Sequence, residues 1–148
     1  MELRKLLLFL LIFIPFFTHS SVNDFDSIKW NNLETAQSFS KNNPRPIFIE
    51  FTAKWCGWCK KMDKTTFSDE AVIDLLNDEY YAVKIDFDSP ALIEFQGEQY
   101  TGKQLAKHFG IDGLPTMIYI PANQKSSETI VGYKTAKQLI KELSKLNR

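Results

Sequence analysis

The chain has 148 residues, and its 18 Lys plus Arg are balanced by 18 Asp plus Glu. This neutral balance argues against a protein that binds nucleic acid or an anionic membrane surface. The length is sufficient to bury a full hydrophobic core, and the chain contains only two cysteines, Cys56 and Cys59.

The first predicted element, over residues 1–20, is a secretory signal peptide. Two basic residues precede an unbroken apolar run, Leu6 to Phe17, and small polar residues follow it. The run is shorter than the roughly twenty apolar residues that a membrane-spanning helix needs. We therefore expect cleavage after Ser20 and export of a single domain that comprises residues 21–148.

A helix, a buried strand and the two cysteines come next. The apolar positions of the predicted helix recur at helical spacing and are Leu33, Ala36 and Phe39. The almost continuous apolar run 46–51 is typical of a central strand covered on both faces. A short turn then leads to Cys56, and the following helix carries Cys59.

The middle of the chain adds two helices and a strand. Ser68 is predicted to cap a helix whose buried positions are Val72, Leu75 and Leu76. Strict alternation of apolar residues over 81–87 predicts a strand. Thr101 and Gln104 form a capping box that opens a short helix, and Gly110 closes it.

The C-terminal third contributes two strands and a helix. Strands are predicted at 116–120, directly after Pro115, and at 128–133. Thr135 and Gln138 form a second capping box, which opens a helix that buries Ala136, Leu139, Ile140 and Leu143. The alternation of strands and helices, followed by a terminal hairpin, predicts an α/β fold with a mixed central sheet flanked by helices on both faces.

The spacing of the two cysteines indicates redox chemistry. Cys56 stands at the first turn of a helix, where unpaired amides and the helix dipole favour a thiolate, and Cys59 lies one turn along on the same face. Four other interpretations are a structural disulfide, a zinc site, plain buried cysteines and a Cys–His hydrolase. Plain buried cysteines would not explain the tryptophans and lysines around them. A disulfide that closes so short a loop adds little to the stability of the fold. A zinc site needs more ligands than the two cysteines and His108 provide. A Cys–His hydrolase needs a residue that orients the histidine, and none accompanies His108.

Two segments resemble the thioredoxin family. Phe51-Thr-Ala-Lys-Trp-Cys-Gly-Trp-Cys-Lys60 resembles its active-site segment, and Gly110-Ile-Asp-Gly-Leu-Pro-Thr116 resembles the loop that carries its cis-proline. Lys61-Met-Asp-Lys-Thr-Thr-Phe-Ser68 and Val83-Lys-Ile-Asp86 look like secreted members related to the C-terminal domain of the thiol:disulfide interchange reductase. The resemblance covers about residues 28–146 and implies the thioredoxin fold.

The resemblance also implies roles for individual residues. Pro115 is expected to be the cis-proline, beside which the backbone of Leu114 pairs with an extended substrate. Glu50 stands where the family carries a buried acid behind the second cysteine, and either Lys84 or Val83 is its neighbour. Substrate contacts are further expected at Trp55, Gly57 and Trp58, and Trp58 replaces the proline of the Cys-Gly-Pro-Cys motif.

These expectations define an enzyme without a cofactor or metal. Cys56 attacks a protein disulfide and Cys59 resolves the mixed disulfide, while Glu50 relays a proton. The resemblance implies a monomer that reduces disulfide-containing proteins in the periplasm and takes electrons from a membrane-bound thiol:disulfide donor. The alternatives are an oxidant or isomerase of the same fold and a non-catalytic peptide-binding or chaperone module.

Overall fold

The computed structural model describes residues 27–147. Its elements are α1 (Leu33–Asn42), β1 (Ile47–Thr52), α2 (Gly57–Thr65), α3 (Glu70–Glu79), β2 (Tyr81–Asp86), β3 (Ile93–Phe95), β4 (Glu98–Tyr100), α4 (Gly102–His108), β5 (Thr116–Ile120), β6 (Glu128–Val131) and α5 (Ala136–Leu146). The predicted signal peptide lies outside the described residues. No helix within residues 27–147 is both long and apolar enough to cross a membrane.

The main sheet is mixed, with strand order β2-β1-β5-β6. The central strand β1 runs parallel to β2 and antiparallel to β5, and β6 returns antiparallel to β5. All residues of β1 from Ile47 to Phe51 are buried, as predicted for a strand covered on both faces.

Helices cover both faces of this sheet. On one face, Phe48 and Met117 pack with side chains of α2, α3 and α5, among them Met62, Leu76 and Leu139. The other face packs against α1 and α4, and its core is formed by Leu33, Ile47, Ile49, Phe51, Val83, Leu105 and Ile118. This arrangement is the thioredoxin fold, which confirms the predicted class and architecture.

The helix caps follow local sequence signals with one exception. Both predicted capping boxes are present, at Thr101 with Gln104 and at Thr135 with Gln138. The prediction that Ser68 caps α3 is wrong. Asp69 is the cap and accepts from the amide of Ala71, because the hydroxyl of Ser68 donates back to the carbonyl of Lys64 at the end of α2.

The buried face of α1 differs from the prediction. Phe39 is 46% exposed, whereas Gln37 is buried. The Gln37 amide donates to the carbonyl of Glu94 at 2.9 Å and accepts from the amide of Gln96 at 3.0 Å, so its polar atoms are satisfied in the interior. Hydrogen bonding to a neighbouring segment, rather than apolar character, decides which face of α1 packs inward.

That neighbouring segment is a small hairpin that the sequence patterns did not predict. Strands β3 and β4 pair in antiparallel fashion and enclose Gln96 and Gly97, both of which have positive φ. Positive φ at both central residues is the geometry of a tight hairpin turn, and Gln is an unusual residue at the first position. Phe95 of the hairpin belongs to the core on the face of the sheet that packs against α1.

The start of α4 depends on a glycine. A Cβ atom at Gly102 would lie 2.2 Å from the carbonyl oxygen of Asp86 and 2.8 Å from that of Phe87. Both obstacles are backbone atoms at the end of β2, so they cannot rotate away. Since Phe87 also packs against the cysteine pair, the close approach at Gly102 helps to shape the site.

We expect Gly102→Ala to destabilise the fold by about 3 kcal/mol, the cost of overpacking a tight backbone contact. Urea unfolding of the oxidised protein measures the change. Gly113→Ala is the matched control, because a Cβ there meets nothing within 4 Å. If both substitutions lowered the free energy of unfolding by the same small amount, the backbone around Gly102 would have to move enough to accommodate a Cβ atom.

Candidate active site

The two cysteines lie where β1 passes into α2. β1 ends at Thr52, and Cys56 is the N-cap residue of α2, with extended backbone angles. The Sγ atom of Cys56 accepts a hydrogen bond from the amide of Cys59 at 3.1 Å. The sulfur of Cys56 therefore takes the place that a Ser, Thr or Asp oxygen takes at an ordinary helix start.

Cys56 and Cys59 form a disulfide, with their Cα atoms 5.3 Å apart. Cys59 is fully buried, whereas Cys56 is 5% exposed. Ala53 completes the buried cluster around the bridge, and Phe87 and Leu114 pack against it. Of the two cysteines, only Cys56 retains any solvent exposure, so it is the one that a partner can approach.

Two lysines adjoin the cysteine pair in the sequence. Lys54 and Lys60 are exposed on either side of the bridge, and the first turn of α2 contains no acidic residue. The unpaired amides of a helix start carry partial positive charge. In the reduced protein this surrounding favours a thiolate at Cys56 over a thiol.

A buried carboxylate lies beneath α2. Glu50 is fully buried on the face of β1 that carries Phe48, which packs with Met62 of α2. The sheet register pairs Glu50 with Lys84, and Lys84 Nζ lies 3.1 Å from Glu50 Oε2. Lys84, rather than Val83, is therefore the neighbour of Glu50.

The amine of Lys84 is shared between two carboxylates. It contacts Asp63 of α2 at 2.5 Å as well as Glu50, and it lies 4.6 Å from the centre of the Trp30 ring. Although Lys84 approaches Glu50 as an ion pair, neither carboxylate oxygen of Glu50 has a directed hydrogen-bond partner among the described residues. The negative charge of the buried Glu50 carboxylate is thus only partly compensated.

This partial compensation sets the acidity of Glu50. Burial raises its pKa from 4.5 to about 7, although the charge of Lys84 acts in the opposite direction. Burial also disfavours the charged form of Lys84, but the charges of Glu50 and Asp63 outweigh that effect and raise the pKa of Lys84. Near neutral pH, Glu50 can therefore exchange a proton while Lys84 stays charged.

The predicted cis-proline is present. The Leu114–Pro115 peptide bond is cis, and Leu114 packs against the cysteine pair. The carbonyl of Pro115 accepts from the amide of Gly132 at 2.9 Å. The segment 110–116, which resembles the cis-proline loop of the family, therefore lies beside the disulfide.

Two tryptophans flank the bridge, and both are largely exposed. Trp55 is 66% exposed, and its Nε1 donates to the carboxylate of Asp88 at 2.6 Å. Trp58 is 56% exposed, and its ring packs against that of Tyr133 with a centroid separation of 5.5 Å. Each indole is therefore held in place by one partner while it presents apolar surface next to Cys56.

His108 takes no part in this site. It is exposed at the end of α4, where its ring packs against those of Phe95, Tyr100 and Phe109. This placement agrees with a surface histidine and not with a Cys–His pair. Within residues 27–147, no group of three or more His, Cys, Asp or Glu side chains is arranged to hold a metal ion.

Three residues of the site were not predicted: Asp63, Asp88 and Tyr133. Asp63 had a signal, because it lies four residues after Cys59 and so one helical turn along the same face. Asp88 lies just beyond the end of β2, and only the fold shows that this end adjoins Trp55. Tyr133 reaches Trp58 through the pairing of β5 with β6, which local patterns do not reveal.

Comparisons with known proteins agree with this geometry. A family model described as a thioredoxin-like domain matches residues 33–147. The thiol:disulfide interchange protein DsbD of Campylobacter jejuni is 34% identical over 113 residues, which are 76% of this chain and 18% of DsbD. The chain thus spans less than a fifth of the length of this relative.

Solved structures show the same fold. A thioredoxin from Thermus thermophilus superposes with a TM-score of 0.66 at 21% identity, covering 81% of this chain and 87% of that one. The oxidised C-terminal domain of Neisseria meningitidis DsbD has a TM-score of 0.57 at 23% identity, covering 78% and 91%. With the match of the family model over residues 33–147 and the Cys56–Cys59 pair at the head of α2, the chain belongs to the thioredoxin-like domain family.

Proposed function

We propose that the protein reduces disulfides of exported proteins through the Cys56/Cys59 dithiol. The observation that carries the proposal is the bridge at the head of α2, in which Cys56 has solvent access and Cys59 has none. A two-step exchange needs an attacking cysteine that a client can approach and a second cysteine close enough to resolve the mixed disulfide.

The exchange proceeds in two balanced steps. The Cys56 thiolate attacks one sulfur of a client disulfide, whose S–S bond breaks as the other client sulfur leaves as a thiolate and takes up a proton. Cys59 then loses its proton and attacks Cys56 Sγ, which expels the second client thiolate. The client gains two electrons and two protons, and the protein is left with the bridge between Cys56 and Cys59.

Glu50 is proposed to handle the proton of Cys59. Glu50 on β1 and Cys59 on α2 are both fully buried, away from bulk water. With a pKa raised to about 7, Glu50 can accept the proton as Cys59 attacks and return it when the dithiol is regenerated. Lys84 and Asp63 hold this carboxylate through the shared amine.

The client is proposed to bind as an extended segment along Leu114 and Pro115, where the backbone of Leu114 offers hydrogen bonds. Gly57 has open space around it, so it permits close approach to the bridge. Trp55 and Trp58 provide the apolar flanks of this binding surface.

Repeated turnover requires a source of two electrons, because each cycle ends with the oxidised pair. We propose a membrane-bound thiol:disulfide donor and a periplasmic location for the described domain. Support comes from the 34% identity to Campylobacter jejuni DsbD and from the apolar run near the N-terminus.

Measurement of the reduction potential of the Cys56/Cys59 couple tests the proposed direction. Equilibration with a thiol buffer, followed by mass spectrometry of alkylated protein, gives the value. A reductase is expected to have a potential of about −270 mV, and a value of about −120 mV would instead make the protein an oxidant. An isomerase would lie between these limits, at about −180 mV.

A further inference from the structure

Two aromatic rings hold a lysine beside the bridge. Lys61 Nζ lies 4.8 Å from the centre of the Trp58 ring and 5.1 Å from that of Tyr133. The hydroxyl of Tyr133 is in turn 3.0 Å from Thr65 Oγ1 on α2. Trp58, Lys61 and Tyr133 are called the aromatic–lysine cluster below. Because cation–π contacts restrain the ammonium, its position next to the site is defined.

The cluster is continuous with the proposed client-binding surface. Trp58 lies between the two cysteines, and Tyr133 follows Gly132, whose amide donates to the carbonyl of Pro115. A client cysteine bonded to Cys56 therefore carries its neighbouring side chains towards the cluster.

The charge of this region is asymmetric although the whole chain is neutral. The segment 54–64 contains four exposed lysines, and its single acidic residue, Asp63, already pairs with Lys84. None of the four has a carboxylate within salt-bridge distance in the described part of the chain: Lys54, Lys60, Lys61 and Lys64. By contrast, α3 carries four acidic residues and no basic one.

We propose that the protein prefers clients in which an acidic residue adjoins the reactive cysteine, and that Lys61 is the residue that recognises it. This inference rests on the proposed exchange at Cys56. The ammonium of Lys61, which the two rings restrain, binds a carboxylate of the client, and no carboxylate within the described residues competes for it. Trp58 and Tyr133 pack against the aliphatic part of the client's acidic side chain. The recognition is electrostatic, so it acts on the rate of productive encounter.

Two peptide disulfides that differ only in charge test the preference. One carries Asp on both sides of its cysteine and the other carries Asn, and the second-order rate of their reduction by the reduced protein is measured at low salt. The ratio of the Asp rate to the Asn rate is compared between variants. Intrinsic differences between the peptides, and any change in the acidity of Cys56, cancel in that comparison.

For the wild type we expect this ratio to exceed that of Lys61→Gln by about three- to fivefold, the effect of one exposed ion pair. Lys61→Glu should lower it further. Added salt at about 0.5 M should bring wild type and Lys61→Gln together, since it screens exposed charges. Lys141→Gln, which removes an exposed lysine from α5, is the control and should keep the wild-type ratio.

Equal ratios for wild type and Lys61→Gln would overturn the inference, and so would an equal loss in Lys141→Gln, because that result indicates net charge rather than a local contact. If both peptides are reduced in either case, the proposed exchange at Cys56 still stands. Failure to reduce either peptide would overturn the proposed function, and the inference with it.

Discussion

Cys59→Ala is expected to turn the protein into a trap that accumulates mixed disulfides with its clients through Cys56. The first attack needs only Cys56, whereas release of the client needs the buried sulfur of Cys59. Loss of the intramolecular attack should lengthen the lifetime of the mixed disulfide by at least about a thousandfold, because a dilute external thiol must replace a neighbouring one. Non-reducing electrophoresis of acid-quenched cells, followed by mass spectrometry, detects the adducts and identifies the clients.

The matched controls are Cys56→Ala and the double substitution at both cysteines. Neither should form adducts, because the remaining Cys59 of the single variant is fully buried in the fold. If Cys56→Ala formed as many adducts as Cys59→Ala, Cys56 could not be the attacking sulfur. A complete absence of adducts with Cys59→Ala would favour the alternative of a non-catalytic peptide-binding module.

Glu50→Gln is expected to slow resolution of the mixed disulfide by about a hundredfold near neutral pH, the usual contribution of a positioned general base. The amide is nearly isosteric with the carboxyl but cannot accept the proton of Cys59. The first attack by Cys56 should change much less, because Cys56, unlike Cys59, retains some solvent exposure. Rapid-quench measurement of the mixed disulfide and of the released client thiol separates the two steps.

The same substitution should increase stability at high pH. Glu50 binds its proton with a pKa of about 7 in the folded protein against an ordinary value of 4.5, so the folded state holds more protons between these values. Stability of the wild type therefore falls as the pH rises through this window. The difference between the two pKa values corresponds to about 3 kcal/mol, which Glu50→Gln removes above pH 7.

Urea unfolding of the oxidised protein at pH 4 and pH 8 measures this effect. The advantage of Glu50→Gln should be small at pH 4, where Glu50 is mostly protonated in both states, and should be fully developed at pH 8. Glu128→Gln, at an exposed position of β6, should show no comparable dependence on pH. An advantage that is the same at both pH values, or a loss of stability at pH 8, would contradict the assigned environment of Glu50.

Much of this architecture follows from local sequence patterns. The capping boxes at Thr101 and Thr135 need only residues three positions apart, and a helix start can satisfy itself locally. The apolar run of β1 reflects burial on both faces, which composition alone reveals. The likeness of the segment around Pro115 to the family's loop was enough to predict a cis bond there.

Features that depend on contacts across the fold were not predictable in this way. Phe39 has the right spacing to pack inward, but the hydrogen bonds of Gln37 to the β3–β4 hairpin orient α1 differently. The hairpin itself was missed because its strands are short and its turn begins with Gln96 instead of Asn or Asp.

The functional site likewise combines features that local sequence predicts with features that depend on contacts across the fold. Cys56 and Cys59 are defined by a spacing of three residues and a strand-to-helix junction, both visible in the sequence. The choice of Lys84 over Val83 as the neighbour of Glu50 depends on the register between β1 and β2, and a slip of one residue reverses the face on which each side chain lies. The contact of Trp58 with Tyr133 joins residues that are far apart in the chain and meet only through the fold.

The most direct measurement is the pH profile for alkylation of each cysteine in the reduced protein, followed by mass spectrometry of the labelled residues. Because Cys56 caps the start of α2 and lies between Lys54 and Lys60, we expect it to be labelled before Cys59, with a midpoint below the value of about 8.5 that is typical of a free cysteine. A midpoint for Cys56 at or above about 8.5, or labelling of Cys59 first, would contradict the assignment of Cys56 as the attacking thiolate.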